Sequence, residues 1–125
     1  MTRQGLTRGF GLTGAVALLA TATMHTMATP QINRLAASVP GDSGVLLPLL
    51  FVAFGITLGL AGILTAVVSL RAGRGDHWIL AVVALFPLAG AVLQMIYIGF
   101  IAPTALLMLD GLLVLGTAGL AKQDA

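Results

Sequence analysis

From Leu47 to Leu70 the chain carries no charged side chain. About 20 mostly apolar residues let a helix cross the hydrocarbon of a bilayer. Three further stretches, Phe10 to Thr29, Trp78 to Ile98 and Thr104 to Ala121, have the length and character for it. The runs are continuous rather than alternating and too long for barrel strands, so they read as helices. Only 8% of the 125 residues are charged, against roughly 25% in a soluble domain. So few charges cannot cover the large surface of a small protein, and the apolar side chains must face lipid. The predicted fold is all-α: one integral membrane domain over residues 1–125, a four-helix bundle embedded in the lipid bilayer.

The charged residues orient this arrangement. Arg3 and Arg8 precede the first span, Arg71 and Arg74 lie between the second and third, and Lys122 follows the fourth; Arg34 alone falls on the other side. Basic residues collect on the cytoplasmic side, so both termini are expected there, with Trp78 an aromatic anchor at the inner interface. The net charge of +2 is spread thinly, with no basic patch interleaved with aromatics, so no nucleic-acid partner is expected. The absence of cysteine removes disulfides, thiolate metal sites and thiol redox chemistry. The opening "MTRQGLTRGFGLTGAVALLATA" also has the form of a cleaved signal, with Ala20-Thr21-Ala22 as the cleavage site. Its apolar character continues through Met24 and Met27 to Ala28, which favours a retained first span.

The longest connection, "PQINRLAASVPGDSG", lies outside. Thr29 followed by Pro30 predicts a helix start with a capping hydroxyl and a proline in the first turn. Ile32, Leu35, Ala36 and Val39 recur at helical spacing, predicting a short helix on the outer interface that ends at Pro40-Gly41. The other connections are tight and make successive spans antiparallel neighbours.

Helices in lipid associate through close packing and polar contacts. In the second span Gly55, Gly59, Gly62, Ala66 and Ser69 share one face and form a small-residue seam. An internal helix contact is the favoured use of it, a homo-oligomer or larger membrane complex the alternative. Leu58 is expected to face lipid or a looser contact. The third span carries Pro87, Gly90, Gln94 and Tyr97 in a stripe, with a kink predicted at Pro87.

Asp110 stands in the apolar run "TALLMLDGLLVLG". At about 1.5 Å per residue it lies roughly 9 Å below the outer end of its helix, with Gln94 and His25 roughly 6 Å below theirs. Tyr97 shares the face of Gln94, Thr21 and Thr29 share that of His25, and Arg34 sits above. A carboxylate at such depth costs about 2.5–3.5 kcal/mol, so it must point inward, with Gln94 and His25 as candidate partners. Two uses remain open: a polar tie between three helices, or an outer-half pocket that orients an apolar or amphiphilic small ligand or passes a proton. Asp110, Gln94, His25, Tyr97 and Arg34 are the candidate site residues. No haem pair, metal cluster, Ser-His-Asp arrangement or phosphate loop is present in the pattern, so no metal, cofactor or catalytic residue is expected.

The layout resembles the small DoxX-like four-helix membrane proteins of bacteria. The resemblance lies in "RGFGLTGAVALLATATMHTMATPQI" leading into an outer loop, "FVAFGITLGLAG", the basic inner turn "RAGRGDHW" and a closing apolar hairpin. It implies a bacterial cytoplasmic-membrane protein, and, since some DoxX-type proteins are associated with quinone-linked sulfur oxidation, a subunit beside a redox partner. It assigns no residue a role. The small multidrug transporters are of similar length, but their first-helix glutamate has no counterpart here, since the chain has no glutamate. The expectation is a non-enzymatic binding or accessory subunit; a proton-coupled transporter using Asp110, or a purely structural subunit, is the alternative.

Overall fold

The computed structural model describes residues 2–71 and 76–123, with Arg3 and Gln123 described by backbone alone. Arg74, counted above among the inner basic residues, lies outside the described residues. Among these residues the chain forms five helices and no strand: α1 (Arg3–Met27), α2 (Thr29–Ala36), α3 (Asp42–Arg71), α4 (His77–Tyr97) and α5 (Ala102–Gln123). Four are long and apolar enough to cross a membrane, over Gln4–Met27, Asp42–Arg71, His77–Tyr97 and Ala102–Lys122. Their outward faces carry Val16, Ile56, Leu85 and Val92, each more than half exposed. Apolar cover on this scale belongs against lipid. The protein is a multi-pass membrane protein.

Each predicted span is present; α1 and α3 start well ahead of Phe10 and Leu47, while α1 ends at Met27 and α4 at Tyr97, just short of the predicted Thr29 and Ile98. α3 begins at Asp42, ahead of Leu47, because Gly41 adopts φ +75° and reverses the chain there. Only glycine takes that conformation at little cost. The short helix is present as α2, with Pro30 in its first turn, but Thr29 is not its cap. The Ala28 N–H bonds the Met24 and His25 carbonyls, and the Ala28 carbonyl accepts from Gln31 and Ile32. The backbone thus closes one helix and opens the next without a hydroxyl. α4 continues through Pro87, which is buried.

α1 packs on α3, α4 packs on α5, and α1 against α5 joins the two pairs. α3 and α4 follow each other in the chain, yet they touch only lightly. The core is a layer of Leu18, Leu58, Leu80, Leu107 and Val114, drawn from all four long helices. Leu58 is fully buried, contrary to its expected lipid-facing position. The seam of α3 lies against α1: a Cβ at Gly62 would come within 2.9 Å of Leu19 and 3.2 Å of the Ala15 carbonyl. At Gly55 it would lie 3.0 Å from the His25 ring. Ser69 is buried over Gly11, whose added Cβ would lie 2.6 Å from the Ser69 Cβ. Gly59 is looser, with Ala22 at 3.8 Å, and Ala66 is half-buried.

Candidate functional site

The ends of α1, α3, α4 and α5 that lie beside α2 enclose a cavity of about 310 Å³. Phe51, Phe54, Leu58, Leu106 and Leu107 form much of its apolar wall. Ala28 and Ile32, at the start of α2, close one side, and Ile101 and Pro103 another. Thr21, His25 and Gln94 are the polar side chains that line it.

His25 reaches the cavity because of what α3 omits. Its Nε2 lies 2.8 Å from the Phe51 carbonyl oxygen, a backbone group already inside a helix. A carbonyl has two lone pairs and can accept a second hydrogen bond when a donor gets close enough. Gly55, one turn further along α3, leaves that approach open. The imidazole then lies flat on Phe51, with ring centroids 3.6 Å apart and planes at 18°, and meets Phe54 edge-on at 5.4 Å. Seam and histidine are therefore one device: the missing side chain at Gly55 is the space the ring occupies.

Gln94 stands near the end of α4 and is half-buried. Thr104, fully buried in the first turn of α5, donates its hydroxyl to Gln94 Oε1 at 3.1 Å; the Gly99 carbonyl is further away at 3.4 Å. This bond orients the amide. Asp110 belongs to the inward stripe of α5, with Thr104, Leu107, Val114 and Thr117, and is 1% exposed. Its side-chain contact is the hydroxyl of Thr21 on α1, while Oδ2 has no hydrogen-bond partner among the described residues.

The predicted constellation is thus brought together in part. His25 and Gln94 share the cavity. Asp110 lies behind its wall beside Thr21, rather than against the two partners expected of it. Tyr97 is 81% exposed at the end of α4, and Arg34 is exposed on α2; neither lines the cavity. Both were placed by helical face and height, which locate a residue around its own helix but not relative to a neighbour. Thr104, Phe51 and Phe54 were not anticipated. Their sequence signal is indirect: Phe51 and Phe54 are one turn apart and flank the seam at Gly55. Among the described residues no three histidine or acidic side chains cluster to hold a metal ion. The chain matches no protein family, no curated protein and no solved structure.

Proposed function

We propose that this is a non-enzymatic binding or accessory protein of the membrane, and that the cavity beside α2 takes an apolar or amphiphilic small ligand. The cavity carries the reading. Its volume falls at the small end of ligand pockets, and a mostly apolar wall with a few convergent polar groups is the usual composition of such sites. In the same reading the four long helices form a bundle with both termini in the cytoplasm, α2 lies on the outer interface, and the cavity occupies the outer half. The DoxX-like layout agrees with a bacterial cytoplasmic membrane and an accessory role within a larger complex.

The test uses the full chain in lipid nanodiscs and a decane carrying a photoreactive diazirine. Saturable labelling of Phe51, Phe54 or Leu107 is expected. Ala28→Trp, which places a large ring in the cavity, should abolish it. Labelling that never saturates, or that spreads evenly over Val16 and Ile56 on the outer faces, would refute the site.

A second reading has its own support. Asp110 is buried with a free carboxylate oxygen, one side chain removed from the cavity. In a proton-coupled transporter it would be the carrier. Reconstituted Asp110→Asn should then fold normally and lose all pH-dependent flux, because an amide cannot cycle a proton.

A further inference from the structure

Resting on the cavity as a binding site, we propose that it is built for a neutral amphiphile headed by a hydroxyl group, rather than for an anion or a quaternary ammonium. The proposal follows from what each polar side chain has left to offer once its protein contact is made.

The Phe51 carbonyl can only accept, so His25 Nε2 is the donor in that bond. The neutral ring then carries a bare lone pair on Nδ1, which accepts. Gln94 receives the Thr104 hydroxyl on Oε1. That fixes the amide so that its NH₂ remains as a donor. Thr21 stands beside the Asp110 carboxyl, and its hydroxyl oxygen keeps lone pairs that accept. The Gln94 amide therefore offers a donor and His25 Nδ1 an acceptor, and the Thr21 oxygen can accept as well.

A hydroxyl is both donor and acceptor and satisfies such a set: its oxygen takes the Gln94 amide, and its hydrogen goes to His25 or Thr21. A sulfate, phosphate or carboxylate head only accepts. It would satisfy the Gln94 amide but leave the His25 lone pair unmet, with no lysine or arginine in the lining. A quaternary ammonium brings no donor and needs open aromatic faces or a carboxylate. Here one face of Phe51 is covered by His25, and Asp110 stands behind Thr21 outside the lining. The apolar wall supplied by Phe54, Leu106 and Leu107 accommodates the hydrocarbon tail in each case, so the head group decides.

The experiment is competition against the diazirine-decane label in nanodiscs, with each competitor expressed as its mole fraction in the bilayer. 1-Decanol should displace the label at about one-tenth the level of decyl sulfate, decyltrimethylammonium or plain decane. That ratio is the effect of roughly one net hydrogen bond. Gln94→Leu should reduce the advantage of decanol over decane, each measured in the same variant, about fivefold. Equal or better competition by the sulfate or the ammonium overturns the assignment, as does decanol that competes no better than decane; in those cases the cavity stands as a site of different preference. Label that fails to saturate in the unmodified protein removes the site itself, and the proposal with it.

Discussion

Six threonines in the spanning helices give their hydroxyls to the carbonyl four residues back: Thr13, Thr23, Thr26, Thr57, Thr65 and Thr117. This is the default for a hydroxyl that must be satisfied without water. Thr21 and Thr104 instead turn to Asp110 and Gln94. These two fall at the cavity and beside it. Thr104→Val should destabilise the protein by about 1 kcal/mol, the worth of one hydrogen bond, and free the Gln94 amide to rotate. Denaturation in mixed micelles gives the first quantity, and amide chemical shifts the second. Asp110→Asn keeps a polar partner for Thr21 and removes a charge that is expensive in an apolar interior, so stability should hold or rise in the same assay. Asp110→Leu loses the bond and should cost about 1 kcal/mol. A large loss in Asn with none in Leu would contradict this account of the carboxyl. The inward placement of Asp110 was legible in the sequence, since a lone carboxylate among leucines has nowhere else to go. Its partner was not. A helix shows which residues share a face, but the choice among Thr21, His25 and Gln94 depends on how α1, α4 and α5 rotate against one another.

Among the elements, α3 shows what a membrane helix discloses and what it hides. The small residues at Gly55, Gly59, Gly62, Ala66 and Ser69 announced a contact face, and that face lies on α1. Leu58 was misread because apolar periodicity carries little information when the outside is as greasy as the inside. In a soluble helix its burial would have shown as a stripe; here small-residue spacing was the remaining signal, and it said nothing of the large residues beside it. The glycines are also unequal. Gly62→Ala must push Leu19 and the backbone of α1, and should cost about 1–3 kcal/mol as overpacking does. Gly59→Ala enters a gap of ordinary contact width and should be neutral or slightly stabilising, since alanine is the better helix former. Leu58→Ala removes a fully buried side chain and should cost about 2 kcal/mol or more. Detergent-denaturation midpoints of the three variants rank them. If Gly59→Ala proves as damaging as Gly62→Ala, α1 and α3 sit closer than described.

At the scale of the molecule, the spans were legible because bilayer thickness imposes a length that composition must meet. The starts of α1 and α3 were not, since there the helix continues into the interface where apolar character stops marking it. The topology is a separate proposal. Arg8, Arg71 and Lys122 lie at the end opposite the cavity, and Arg34 on α2 beside it. Reporter fusions before Arg8 and after Lys122 should both report the cytoplasm, and a C-terminal reporter found outside would reverse the reading. The packing order has a consequence for how the chain is made. α1 is made before α5, yet α5 is its second neighbour, and the chain neighbours α3 and α4 do little to hold each other. Until α5 is made, Thr21 and the inner face of α1 have no α5 to rest on. A chain halted after α4 is an open assembly, and a membrane protease that recognises unpaired helices would distinguish it from the finished one. The docking of α5 is then the step that closes these helices and shelters Asp110 from the lipid, so α5 acts as a checkpoint on α1.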